Sequence, residues 1–324
     1  MNNPDNKSIM TVKGYVSGSE LGFCHSHEHL FLADGHSAKI HAALRLDDYS
    51  KTLDEVVLFK ETGGNTIVDA QPVGCGRIAE LLVNVSENTG VNIVASTGFH
   101  KLIFYPENHW INIMDEVQLA QVFINEFRYG MYINSDTSSP AQHIDAKPGV
   151  IKTASDINGV DDKYKKLFLA AAEASVQTGL PVLSHTEMGK GALGQIRLFT
   201  DHRIPADSII VCHLDRTLND PGYIREVADT GVYLEFDTIG RFKYHTDEEE
   251  AEFIVKMVEY GFEDRILIGL DTTRERMKSY GGTLGLDYIM THFIPLLKSY
   301  GLTDSIINKF TVLNPAKAFT MRTR

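Results

Sequence analysis

Long apolar runs are missing from this 324-residue chain, and so is any pattern among its cysteines. No run approaches the ~18 or more residues that cross a bilayer, so no membrane partner is expected. The three cysteines, Cys24, Cys75 and Cys212, are odd in number and scattered, with no CxxC. That excludes a disulfide framework and suits a reducing compartment. Positive charge is also scarce: 31 Lys and Arg stand against 43 Asp and Glu, a net charge of −12. A broad basic face for nucleic acid is therefore not expected. Met1–Lys7 is polar and has no apolar signal segment. The expectation is a soluble cytoplasmic protein, for which a homodimer stays open.

What the chain does have is short β-branched runs in regular succession. They are Gly22–Leu32, Asn65–Ala70, Val91–Thr97, Val150–Ala154, Pro181–His185, Ser208–His213, Gly231–Phe236 and Arg265–Leu270. Their apolar cores are continuous rather than alternating, as in strands buried on both faces. Amphipathic stretches separate most of them: Thr52–Thr62, Ile78–Thr89, Asp115–Tyr129, Asp161–Gly179, Asp220–Thr230, Asp247–Tyr260 and Leu284–Tyr300. Several end at a glycine placed for a helix C-cap. Eight strand–helix units predict a parallel sheet, and eight strands close a (β/α)8 TIM barrel. We expect one such domain over residues 1–324, with an open doubly wound sheet as the alternative. The segment to about Tyr15 is expected to be an irregular cap or a short hairpin over the barrel floor.

Polar residues collect at the strand ends. His27 and His29 lie two apart on the first run, so on a strand both point to one side. Imidazoles paired in this way are natural ligands for a borderline metal such as zinc. Lys152, His185, His213 and Asp271 occupy the ends of the fourth, fifth, sixth and eighth runs. In a barrel these ends converge on one face. Each has a plain structural reading: a strand-end histidine is more often hydrogen-bonded than ligating, a terminal aspartate often caps the next helix, and a lysine there is usually a solvated charge. Lys152 would also serve a Schiff-base aldolase. The six residues together, in this order, favour a metal site.

With these residues in place the chain resembles the phosphotriesterase-related family of the amidohydrolase superfamily. The resemblance runs from Gly22 to Ala318. It is carried by His27-Glu28-His29, Ile151-Lys152, Ser184-His185-Thr186, Cys212-His213-Leu214-Asp215, Phe236-Asp237-Thr238-Ile239-Gly240-Arg241, Asp271-Thr272-Thr273-Arg274 and Asn314-Pro315-Ala316. It implies two divalent metal ions, zinc first, with manganese or cobalt as alternatives. It also implies a carbamate on Lys152 that bridges them. His27, His29, Lys152 and Asp271 would hold the more buried ion; Lys152, His185 and His213 the more exposed one. Asp271 would also be the catalytic proton acceptor. His25, Glu28 and Asp215 are candidate supports for these ligands.

Six cations fall on the loops after the strands: Lys101, Lys190, Arg241, Lys243, Arg274 and Arg276. In so acidic a chain they point to a small anionic substrate. Arg241 and Arg276 are the ones most readily explained as ion-pair or rim charges. The chain is similar to the family branch that hydrolyses phosphorylated sugar lactones, which implies phosphate binding by Lys243 and Arg274. Lys101, Lys190 and Tyr280 are further substrate-binding candidates. That branch carries a tyrosine shortly after the arginine; here Met277 stands three residues on and Tyr280 three later. The expected reaction is opening of a pentono-lactone 5-phosphate. A phosphotriesterase, an unphosphorylated-lactone hydrolase and a non-enzymatic metal-containing sugar-phosphate sensor are the alternatives.

Overall fold

A computed structural model describes residues 8–323. The chain opens with an antiparallel hairpin of β1 (Ser8–Thr11) and β2 (Gly14–Ser17). Val12 N–H then donates to Ile93 O at 2.9 Å, at the start of a barrel strand. The hairpin therefore covers the barrel floor as expected; the part of that expectation falling on residues 1–7 lies outside the described residues.

The barrel strands are β3 (Cys24–Glu28), β4 (Thr66–Asp69) and β5 (Asn92–Gly98). A small outer hairpin follows, β6 (Tyr132–Ile133) with β7 (Gln142–His143). The barrel resumes with β8 (Val150–Ala154), β9 (Val182–His185), β10 (Ile209–Cys212), β11 (Tyr233–Phe236) and β12 (Ile266–Ile268). All eight barrel strands are parallel and lie in sequence order. Neighbouring strand residues pack into different cores. Val68, Val94, Leu183, Ile210 and Leu267 fill the barrel interior, while Ile67, Ile93, Val182, Ile209 and Ile268 meet the surrounding helices. This two-sided burial is why the runs lack polar alternation.

Between β12 and β3 the sheet is closed by single contacts rather than a ladder. Asp271 N–H donates to His27 O at 3.0 Å, and Ser26 Oγ–H donates to Ile268 O at 2.8 Å. A side chain at Gly269 would put its Cβ 3.0–3.2 Å from His27 backbone and Cβ atoms, so any other residue would push this seam apart by a few tenths of an ångström.

Helix ends follow their caps. Asp161 accepts from the amides of Lys163 and Tyr164 at the start of helix Asp162–Thr178, and Gly179 ends it at φ 79°. Two features depart from the expectation. Helix Ala192–Asp201 follows β9 without a polar cap, since its N-cap is Gly191. The stretch expected as Leu284–Tyr300 begins instead with a wide turn, Ile289–Phe293, before helix Ile294–Ser299. Pro295 has no N–H to offer Thr291, and the turn before it widens, with Ile294 N–H donating to Ile289 O. Among the described residues no helix is long and apolar enough to cross a membrane.

Candidate active site

The strand ends deliver all six expected side chains to one buried cluster. His27 and Lys152 are fully buried, and His29, His185, His213 and Asp271 are at most 7% exposed. Lys152 Nζ lies 3.1 Å from His27 Nε2. Asp271 Oδ1 lies 3.3 Å from His29 Nε2 and 3.9 Å from His27 Nε2. His213 Nε2 is 2.7 Å from His185 Nδ1, and the His27 and His213 rings are 4.9 Å apart. His213 and Asp271 end their strands in the left-handed backbone region, at φ 63° and 47°. Such a conformation costs energy in a non-glycine residue and tends to persist at functional sites.

The outer ring nitrogens meet carboxylates. His27 Nδ1 lies 2.7 Å from Glu235 Oε2, and His213 Nδ1 lies 2.6 Å from Asp237 Oδ1. Both acids come from the β11 end, two residues apart on one side of the strand. Glu187 approaches His185 Nε2 at 3.6 Å and is itself held by Lys101 Nζ at 2.6 Å. Imidazoles braced in this way present their inner nitrogens as lone pairs. The roles of Glu187, Glu235 and Asp237 escaped the sequence reading. For the last two a signal was present: the i, i+2 logic that singles out His27 and His29 applies equally to Glu235 and Asp237.

Titration behaviour follows from this burial. Desolvation is the largest influence on His27, with Lys152 second, and lowers its pKa. Burial holds His185 down to about 3, and burial with Arg216 puts His213 well below its usual value. These rings are therefore neutral at pH 7. Burial raises the carboxyls of Glu235 and Asp237, a cost that positive charge in the cluster would relieve. For Asp271 burial also opposes ionisation, but Arg241, His29 and Arg216 outweigh it and hold the carboxyl well below the usual range. Arg216 and Arg241 reach its Oδ2 at 2.7 and 2.6 Å.

The expected supports sit as follows. Glu28 accepts from Leu270 N–H and from the Thr272 backbone and hydroxyl, bracing the turn that carries Asp271. His25 Nδ1 lies 2.9 Å from Glu28, with its ring edge on Phe59. Asp215 accepts from Thr238 N–H in the loop after β11.

A cavity of about 560 Å³ opens above the cluster. Lys101, Arg216, Arg241 and Lys243 line it together with Ile40, Leu44 and Phe104. Lys190, Arg274 and Tyr280 stand outside its lining. Lys190 Nζ lies 5.8 Å from the Tyr223 ring centre, and the Arg274 guanidinium 5.5 Å from that of Tyr280. The Tyr280 hydroxyl is engaged by Thr52 Oγ1 and Asp48 O, each at 2.9 Å. Arg276 reaches the cavity edge but donates to the carbonyls of Leu270, Asp271 and Ile239, a structural use. Arg216, which the sequence reading passed over, faces both Asp271 and the cavity.

The model of the Phosphotriesterase family matches residues 7–319. A protein of Mycoplasmopsis synoviae named phospho-furanose lactonase is 30% identical over 97% of this chain and 92% of its own length. The crystal structure of a lactonase from Listeria monocytogenes superposes with a TM-score of 0.89 at 31% identity, covering 98% of this chain and 100% of that one. That of an amidohydrolase from Mycoplasma synoviae reaches 0.94 at 29% identity, covering 99% and 94%.

Proposed function

The chain belongs to the phosphotriesterase family and is a hydrolase of ester bonds, and from that premise we propose that it opens a phosphorylated sugar lactone at a two-metal centre. One observation carries the metal reading. Lys152 is wholly buried against His27, in a cluster of imidazoles braced by carboxylates. Neutral rings, an ionised Asp271 and a lysine able to take up carbon dioxide as a carbamate make a donor set suited to divalent ions.

His27, His29, Lys152 and Asp271 would hold one ion, and Lys152, His185 and His213 the other. Bound there, the ions would lower the pKa of water to about 7 and polarise the lactone carbonyl. Asp271 accepts the proton of the attacking water and returns it to the ring oxygen as the C–O bond breaks. The product is the hydroxy acid. Glu235 and Asp237 keep the rings of His27 and His213 in the tautomer that faces inward. Arg216 and Arg241 hold Asp271 ionised and in place.

Lys243 offers the lactone's phosphate a charge-assisted bond at the cavity wall. Arg241, two residues earlier on the same loop, adds positive charge nearby while its guanidinium holds Asp271. Arg274 would join them by swinging off the Tyr280 ring. The cationic wall favours an anionic lactone over a neutral triester or an unphosphorylated lactone. The test is proton release from a panel of lactones with and without phosphate, using metal-loaded protein. Faster turnover of phosphorylated furanose lactones is expected; indifference to phosphate would refute the substrate assignment.

A further inference from the structure

A second group of buried ligating side chains lies beside Asp237, outside the cluster described above. Asp215, His245 and Glu250 bring potential ligand atoms within 4.8 Å of one another. Asp215 comes from the turn after β10, His245 from the loop after β11, and Glu250 from the start of helix Asp247–Glu259. Glu250 is wholly buried. Neither of its carboxylate oxygens, nor Asp215 Oδ1, meets a hydrogen-bond donor among the described residues. His245 Nδ1 stands 3.6 Å from Glu250 Oε2, and its Nε2 is 3.3 Å from Thr238 Oγ1.

Bare carboxylate oxygens in a dry interior are costly. Either a proton shared between the two acids or a cation must offset that cost. One shared proton satisfies one oxygen of each acid and leaves the other Glu250 oxygen with no partner nearer than His245 Nδ1 at 3.6 Å, a ring nitrogen whose own nearer partner is the Thr246 carbonyl at 3.1 Å. A divalent cation neutralises both carboxylates and takes the imidazole as a third ligand. On its outer side His245 lines a cavity of about 550 Å³, together with Glu249, Arg216 and Tyr244.

We propose that Asp215, His245 and Glu250 bind a structural divalent cation of the zinc or manganese class, distinct from the ions at Lys152. The oxygen and nitrogen donors suit that class. The ion ties the ends of β10 and β11 to the helix behind them. It thereby steadies the loop that sets Arg241 and Lys243 over the active-site cavity. The inference does not rest on the lactone reading.

Metal-stripped protein is loaded with zinc or, in parallel, manganese, desalted, and assayed for metal per chain by plasma mass spectrometry. Wild type should hold one equivalent more than Glu250→Gln or His245→Gln, neither of which touches the Lys152 cluster. Zinc-loaded wild-type crystals should give an anomalous peak between Asp215 and Glu250. Equal metal content in the three proteins, or no peak beside Glu250, overturns the proposal in favour of the shared proton. Should Glu250→Gln fail to fold, the His245→Gln count and the wild-type anomalous map still decide. Peaks at Lys152 and at Glu250 are read separately, so failure of one site is not mistaken for failure of the other.

Discussion

Replacing Asp237 by asparagine removes one charge and almost no volume, and it tests whether the acids behind the imidazoles set metal affinity. Both oxygens are in use. Oδ1 lies 2.6 Å from His213 Nδ1. Oδ2 accepts from His213 N–H at 3.3 Å and lies 3.0 Å from His27 Nδ1. Asparagine offers one oxygen and one NH2. If the oxygen faces His213 Nδ1, the NH2 meets the His213 backbone N–H. If it is turned, the NH2 meets His213 Nδ1, which must become an acceptor. The ring proton then moves to Nε2, the atom facing His185 at 2.7 Å. An unsatisfied buried donor costs about 1–3 kcal/mol, which at 1.36 kcal/mol per tenfold is roughly 5- to 150-fold in affinity. Outer partners of metal ligands typically contribute on this scale. The assay is competition with a chromogenic chelator, alongside the Tm of metal-free protein. Glu235→Gln is the control. Its contact at 2.7 Å from His27 Nδ1 is one a glutamine carbonyl can reproduce beside the Cys212 thiol, so the loss should stay near ~1 kcal/mol or below. Unchanged metal affinity in folded Asp237→Asn, or a larger loss in Glu235→Gln, would refute the reasoning.

Lys152→Ala should lose nearly all bound metal, with partial recovery in short carboxylic acids; electron density showing an unmodified amine beside two ions would count against the carbamate. Lys243→Met should lower kcat/KM for a phosphorylated lactone roughly 10- to 100-fold, one charged hydrogen bond's worth, and spare the unphosphorylated lactone. Arg274→Met should do the same only if Arg274 leaves Tyr280 on binding, and equal losses on both substrates for either variant would withdraw its phosphate role. Glu126→Leu removes the carboxylate paired with Arg77 at 2.6 Å, both side chains at most 1% exposed, leaves that buried charge only the carbonyls of Ser96 and Tyr132, and should cost about 3–5 kcal/mol in urea unfolding; a loss below ~1 kcal/mol would contradict this. Burial lowers His109 to about 4, so its neutral form contributes stability that is present above the unfolded value of ~6.5 and lost as pH falls toward 4. The slope is at most about 1.36 kcal/mol per pH unit, and His109→Asn should flatten it across that window.

The barrel was readable because its strands are buried on both faces and its helices carry ordinary caps such as Asp161 and Gly179. Helix Ala192–Asp201 was not, because its capping position is a glycine and offers no side chain as a start signal. The members of the buried cluster were readable because each lies in or directly after an apolar run. Its carboxylate braces were harder to see. Glu235 lies inside a strand, and nothing local says that its partner is His27, 208 residues earlier. Loop cations resist sequence reading for a different reason. Lys243 and Arg274 look alike in sequence, and each lies over a tyrosine ring, Tyr244 at 4.6 Å and Tyr280 at 5.5 Å, yet of the two Lys243 alone lines the cavity.

The seam between β3 and β12 has a consequence for the order of folding. Its contacts join residues far apart, with Ser26 and Ile268 separated by 242 positions. Closure over so long a loop carries a large entropic cost and comes late. His27, Lys152, His185 and His213 all precede β12, whereas Asp271 follows it. A growing chain can therefore gather its imidazoles early but cannot add the carboxylate until the last strand docks. Tight metal capture should thus appear only with the final kinetic phase of refolding, so a metal-responsive dye would act as a clock for barrel closure.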